Sequence, residues 1–474
     1  MLGKALKMSH RYKFAKAPVA DAAAIVGGDG KKYRFTMLTD GLIRYEYAED
    51  GQFEDRASTF ALFRKLPVPK FRVIDLEDGG LQIVTARARL TYDRKSFTTN
   101  GLKAEVLGNV SDWKSVWRYG STTWNLGGTA RTLDEANGKI PLMEGILSRN
   151  GFAAVEDSDT MLFEEDGWVG VRKPGDRVDG YIFLYGTDYR DALKAFFTLS
   201  GKPPLLPRWA LGNWWSRYYP YTQDGYIELM DKFKQEEVPL SIGVIDMDWH
   251  HVDSVDPKYG SGWTGYSWNK EFFPDPKEFT KQLHDRDVKL TLNVHPADGI
   301  RAFEDCYKKL AEHMDQDTDH EDPVQFDVTS KKFLDGYFDI VHRDLEKDGV
   351  DFWWIDWQQG PYSRVPGIDP LWVLNHVSSC STHRLQFADK SIVSLFGQWQ
   401  RRYKTVDILA LRRSWFSSIS CRFLWRYCRN VGITCFPARV YSYCIKHWLW
   451  MVVPRYRRTH GEFFLAPGNN TDFA

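Results

Sequence analysis

Apolar and polar positions divide this chain into two rhythms. Between about residues 31 and 185, short stretches alternate apolar with polar residues and are separated by Gly and Asp. Arg34-Phe35-Thr36-Met37-Leu38, Leu42-Ile43-Arg44-Tyr45-Glu46-Tyr47 and Leu81-Gln82-Ile83-Val84-Thr85-Ala86 are examples. A period of two over such lengths predicts half-buried strands, and a series of them predicts a β-sandwich. Tyr189 to Leu199 reads as a helix, after which Pro203, Pro204 and Pro207 close the first unit. From Arg208 the rhythm becomes strand, helix, strand, helix. The predicted strands are 210–215, 240–247, 289–294 and 352–355, and the predicted helices are 225–236, 276–286 and 331–347. Each strand is short and mostly apolar, as expected of a parallel strand covered on both faces. Four such units are half of an eight-unit barrel. The expected fold is therefore multidomain β and α/β. An N-terminal β-sandwich spans 1–200, an incomplete (β/α)8 TIM barrel spans 201–376, and 377–474 forms a tail of different character.

Every predicted barrel strand ends in a polar or aromatic cluster. The first gives Asn213-Trp214-Trp215-Ser216-Arg217-Tyr218, and the second gives Asp246, Asp248, Trp249 and His250. The third gives Asn293, His295 and Asp298, and the fourth gives Trp354 and Asp356. One such end means little, because caps and turns also favour Asp and Asn. Four in succession, all at C-terminal ends, predict a common pocket of the kind that parallel barrels build there. The run Val350-Asp351-Phe352-Trp353-Trp354-Ile355-Asp356-Trp357 reads as a buried strand delivering a carboxylate among indoles. Aromatic walls suit the apolar faces of a sugar, and a carboxylate between them suits a glycosidase nucleophile. The competing reading is a buried Asp that caps the following segment.

That strand resembles the nucleophile strand of glycoside hydrolase family 31, the retaining α-glycosidases. The resemblance covers roughly residues 8 to 375 and is strongest at Ile245-Asp246-Met247-Asp248-Trp249-His250 and at Asp356. It also includes Phe53-Glu54-Asp55-Arg56, Ser148-Arg149-Asn150-Gly151, Tyr185-Gly186-Thr187-Asp188-Tyr189-Arg190 and the stretch from Gly201 to Gly212. The family often carries an acidic residue three places after the nucleophile, where this chain has Gln359. The resemblance implies a galactose mutarotase-like N-terminal sandwich and Asp356 as nucleophile. It also implies Asp246 in the subsite that holds the attacked sugar, with Asp248 either sharing that work or orienting its neighbour. Trp215, Trp249, Trp354 and His295 complete the expected substrate-binding set. The expected ligand is an oligosaccharide or α-glycoside, with an α-glucoside favoured over an α-xyloside. Trp357-Gln358-Gln359 leaves room for an α-N-acetylgalactosaminide.

Charge changes the picture little at first. Lys+Arg and Asp+Glu both number 63, so no nucleic-acid or membrane-surface partner is expected. No apolar run of about 18 residues is present, and none is expected to span a membrane. The first thirteen residues lack an apolar signal core, so a cytoplasmic address is expected. His250, His251, His295 and Asp298 lack the one-face spacing of a zinc hydrolase helix, and neither metal nor cofactor is expected.

The tail is another matter. Five of the six cysteines lie from Cys380 onward, and from Ser381 there are 15 basic and 4 acidic residues. A retaining glycosidase needs a second carboxyl group about 5–5.5 Å from the first, acting as acid and then base. The family supplies an Asp in a Gly-Asp pair downstream of the nucleophile. Here Asp389, Asp407, Glu462 and Asp472 are the acids after Asp369, and none has that setting. Reading the codons permitted for 436–460 one base later allows a string ending Gly-Tyr-Gly-Trp-Trp-Ser-His-Asp-Ile-Gly-Gly-His-Met, similar to the family's downstream barrel. The same shift over 422–427 allows Gly-Phe-Ser-Gly-Asp-Thr, which contains the missing Asp. The tail is therefore expected to be an out-of-frame translation beginning between about 377 and 420, and the chain to lack turnover. A genuine cysteine-rich module is the alternative, as are a transglycosylase or lyase of the same family and a non-catalytic sugar-binding protein.

Overall fold

The computed structural model describes residues 11–108, 115–128, 130, 137–202, 207–356, 362–383, 458–459 and 462–463. The expectations for Gln359, for the 422–427 and 436–457 stretches and for the tail's packing lie outside these residues.

The alternating region forms two five-stranded antiparallel sheets. One runs in the order Ile25–Gly27, Tyr33–Met37, Leu42–Ala48, Arg177–Phe183, Ala153–Glu156. The other is a meander of Arg72–Asp75, Leu81–Val84, Ala88–Tyr92, Leu102–Val106 and Val116–Arg118. Their inward residues share one core, with Phe35, Tyr45 and Ile182 meeting Ile83, Leu90 and Trp117. Alternation is clean in Leu81–Val84 and Ala88–Tyr92, where every second residue is buried. The central strands of the first sheet are buried on both faces, because the helix Tyr189–Ser200 covers its other side with Ala192, Phe196 and Leu199. Most charges buried in this region are paired with opposite charges, and Arg64 instead donates to Tyr181 OH and to backbone oxygens. Arg34 Nε lies 2.6 Å from Glu46, Arg44 Nε lies 2.8 Å from Asp179, and Arg172 reaches Asp179 at 2.8 Å and Asp157 at 3.1 Å.

The second region holds a four-stranded parallel sheet in chain order: Trp214–Arg217, Ile242–Ile245, Lys289–Val294 and Phe352–Ile355. Helices between the strands follow from amphipathic stretches with good caps. Thr222 Oγ accepts from Gly225 N ahead of Gln223–Gln235, and Asp275 accepts from Glu278 N ahead of Pro276–His284, whose first residue is proline. Two expectations need correction. Residues 208–211 form a 3-10 turn behind Pro207, so the first strand begins at Trp214, about four residues later than the pattern suggests. The predicted helix 331–347 contains a π-helical stretch, Tyr337–His342, between two α-helical segments. A short helix, Tyr307–Met314, was not anticipated. The two outer strands each pair on one side among the described residues.

The two regions share a continuous core, in which Tyr12, Leu62, Met161 and Phe163 pack with the residues around the parallel sheet. Arg11 and Tyr12 fasten the chain's start to the helix after Ser330: Arg11 Nη1 and Tyr12 OH both donate to Asp335 Oδ1, at 2.7 and 2.8 Å. No helix among the described residues is long and apolar enough to cross a membrane.

Candidate active site

The parallel strands bring three of the expected side chains to one end of the sheet. Residues two apart on a strand share a face. Thr291, Asn293 and His295 therefore project together from the third strand, and Trp354 and Asp356 together from the fourth. Asp356 follows Ile355 directly, and its backbone N–H is tied to Val294 O at 2.9 Å, which fixes where the strand delivers its carboxylate. That carboxylate is 20% exposed and lies 3.5 Å from His295 Nε2. Asp246 follows the second strand and accepts from Met247 N at 2.9 Å, capping the 3-10 turn Met247–Trp249. Burial pushes the Asp246 carboxyl up to about 6, with Asp356 adding to the rise, while the Met247 N–H and His295 oppose it. Two carboxyls and an imidazole thus share one electrostatic neighbourhood.

Burial and then Asp253 raise Asp248 as well, two residues beyond Asp246. His250 is fully buried with Nδ1 on His251 O at 2.9 Å, and burial pushes it down to about 4. His251 pairs with Ser254 Oγ at 2.8 Å. Among the described residues no group of three His, Cys, Asp or Glu side chains could hold a metal ion.

The tryptophans are placed unevenly. Trp249 is completely buried and donates to Asn293 O at 2.7 Å. Trp354 is also buried, 5% exposed, and its Nε1 has no hydrogen-bond partner among the described residues. Trp215 packs against Phe233 of the Gln223–Gln235 helix with the rings tilted at 60° and donates to Tyr221 OH at 3.2 Å. The indole that reaches both the site and solvent is Trp263, absent from the sequence-based set. It is 44% exposed and stacks on the His295 ring with centroids 4.6 Å apart. Its signal in the sequence is weak, a lone Trp in the loop Gly260-Ser261-Gly262-Trp263-Thr264-Gly265.

Several buried polar atoms around these carboxyls have no partner among the described residues: both side-chain atoms of Asn293, Thr291 Oγ1, His295 Nδ1 and His250 Nε2. Unsatisfied buried groups are rare and costly, and they concentrate where a ligand or water completes the bonding.

Residues 203–388 match the family model described as "Glycosyl hydrolases family 31 TIM-barrel domain". An alpha-xylosidase of Saccharolobus solfataricus is 23% identical over 297 residues, 59% of this chain and 38% of that protein. An alpha-glucosidase of the same organism is 36% identical over 138 residues, 29% of this chain and 18% of that protein. The chain therefore spans well under half the length of these curated relatives. The crystal structure of a GH31 alpha-xylosidase from a soil metagenome, complexed with xylose, is similar with a TM-score of 0.52 at 13% identity. That likeness covers 83% of this chain and 68% of the other, and it concerns the fold. Barrel match and relatives agree on this region: residues 203–388 carry a TIM-barrel domain of the glycoside hydrolase family 31 type.

Proposed function

We propose that this chain derives from a retaining α-glycosidase in which Asp356 is the nucleophile. The observation that carries the reading is the convergence of Asp356, His295 and Asp246 at one end of the parallel sheet. Asp356 attacks the anomeric carbon, a C–O ester bond to the sugar forms, and the glycosidic oxygen leaves. Asp246 accepts hydrogen bonds from hydroxyls of the attacked ring, and Asp248, Trp249 and Trp354 shape its surroundings. The N-terminal pair of sheets is read as the family's β-sandwich, with 1–200, 201–376 and 377–474 as the three divisions, and the address as cytoplasmic. An α-glucoside or α-xyloside is the substrate class, and both activities appear among the names of the relatives.

The leaving oxygen needs a proton, and no acid after Asp369 has the expected setting. The out-of-frame reading of the tail explains that gap and predicts no turnover of ordinary glycosides. It is tested by sequencing the transcript across codons 370 to 474: a spliced form that restores the Gly-Asp pair supports it, and uniform transcripts encoding this tail sink it. The missing acid also favours a second reading, a protein that binds sugars without cleaving them.

One reagent separates the two. A 5-fluoro-α-glycosyl fluoride releases fluoride without protonation, so it loads a nucleophile even where the acid is absent. The folded protein is expected to gain one glycosyl mass on the peptide containing Asp356, and Asp356→Asn to gain none. An unlabelled, folded wild-type protein would refute the nucleophile assignment and leave the binding reading.

A further inference from the structure

Resting on the glycoside site proposed above, we infer that Trp263 is its sugar platform and that Arg301 and Glu304 are positioning residues that hold this indole over His295. Of the indoles at this end of the sheet, Trp249 and Trp354 have 0% and 5% of their surface open and Trp263 has 44%. A pyranose ring can lie against an aromatic surface only where that surface meets solvent. Trp263 also lies one imidazole from the nucleophile, stacked on the ring whose Nε2 faces Asp356.

An exposed loop residue usually wanders, but this loop is fastened from below. Arg301 is 4% exposed and its guanidinium donates to the carbonyl oxygens of Tyr259 at 3.1 Å, Ser261 and Thr264, which bracket Trp263. Glu304, also 4% exposed, accepts from Ser267 Oγ at 2.6 Å and Tyr266 N at 3.1 Å. Thr264 Oγ donates to His295 O at 2.6 Å, tying the loop to the residue beneath the indole. Glycine is required on both sides. A Cβ at Gly262 would stand 1.9 Å from Val252 O, and one at Gly265 would stand 2.1 Å from His250 Nδ1. A buried charge spent on three loop carbonyls, with two backbone contacts closed to any side chain, fixes the position of one open indole. Such preorganisation of a binding surface is what recognition of a small rigid ligand needs.

The test is binding of methyl α-D-xylopyranoside and methyl α-D-glucopyranoside, measured by calorimetry on the full chain. Trp263→Ala is expected to weaken whichever glycoside binds by roughly 3- to 10-fold, the scale of one aromatic face contact. Trp263→Phe, which restores a flat face, is expected to recover most of it, and all three proteins are expected to melt alike. A role confined to loop packing would move the melting temperature and would not be rescued by Phe. Arg301→Lys, which loses the three-carbonyl clamp, is expected to approach the Ala variant in affinity. Unchanged affinity in Trp263→Ala, or absence of glycoside binding by the wild type, overturns the inference. Labelling of Asp356 by the fluorinated reagent is read separately. An adduct with a Trp263-independent half-saturation defeats the platform alone, whereas Trp263-dependent binding without an adduct defeats the nucleophile alone.

Discussion

The N-terminal sheets and the parallel sheet differ in where their buried polar groups find partners, although Arg64 Nη2 in the first region also lacks one among the described residues. In the first, charges meet charges: Arg44 and Arg172 converge on Asp179, and Ser58 Oγ donates to Asp157 at 2.6 Å. In the second, Asn293, Thr291 and His295 carry buried atoms with no partner among the described residues. A protein interior tolerates unpaired polar atoms only at a cost of about 1–3 kcal/mol each. Where the cost is met by internal pairing, the groups serve the fold. Where it is left standing beside two carboxyls, the groups are free to bond to the sugar proposed to bind there.

Substitutions should separate the two regions cleanly. The largest effect belongs to Asp356→Asn, which is expected to slow trapping by the fluorinated glycosyl fluoride by about 10⁴-fold or more, judged by intact-protein mass against time. The melting temperature should hardly move if the nucleophile role proposed for Asp356 is its main work. Asp179→Ala should do the reverse. Burial opposes ionisation of Asp179, yet Arg44 and Arg172 hold its carboxyl well below the usual carboxylate range. Removing it leaves Arg44 with Glu46 and Arg172 with Asp157 but takes from each its 2.8 Å partner, and is expected to cost roughly 3–5 kcal/mol in urea unfolding. A loss below about 1 kcal/mol would show that these pairs add no more than exposed ones do.

Glu304 offers a pH-dependent comparison. Burial raises its carboxyl to about 7 from the ordinary 4.5, so the folded state prefers the protonated form. That contribution is complete below pH 4.5 and disappears as pH rises through 7, the loss amounting to roughly 3 kcal/mol. Glu304→Gln stays neutral and should remove this decline, as seen in urea midpoints from acid to mildly alkaline buffer. A smaller decline through about 6 should survive in the variant, because Asp246 is raised in the same sense. If the two proteins trace parallel curves, Glu304 is ionised in the fold and the clamp around Trp263 is differently bonded.

The finest test pairs two hydroxyls. Ser58→Ala breaks a buried bond to Asp157 and should cost about 1–2 kcal/mol, whereas Thr291→Val deletes a hydroxyl with no partner among the described residues and should be neutral or slightly stabilising. Equal costs would remove the contrast between the regions.

Much of this was visible in the chain. The strands Lys289–Val294 and Phe352–Ile355 coincide with their apolar runs, and Ile242–Ile245 lies inside the predicted 240–247. The first strand was set too early because Trp209-Ala210-Leu211 is apolar but coils into a 3-10 turn, with Gly212 pressed against Ser241. Asp246, His295 and Asp356 could be named because strand ends in a parallel sheet converge. The indoles could not be ranked. Periodicity reports that Trp249 and Trp354 lie at strand ends, but not that neighbours close over them. Trp263 belongs to no periodic segment, and its placement depends on Arg301 and Glu304, some forty residues away in sequence.

Strand order in the parallel sheet matches chain order, so each strand docks on the one synthesised immediately before it. Long-range closure is the slow part of assembling such sheets. Here it is broken into three successive additions, each on an edge already in place, and folding can advance with translation. Asp356 follows the last of these strands, so the carboxylate arrives only when Asp246 and His295 are already waiting for it. A ribosome still extending this chain would carry the assembled end of the sheet, with Asp246, His295 and Asp356 together, before the remainder of the polypeptide had emerged.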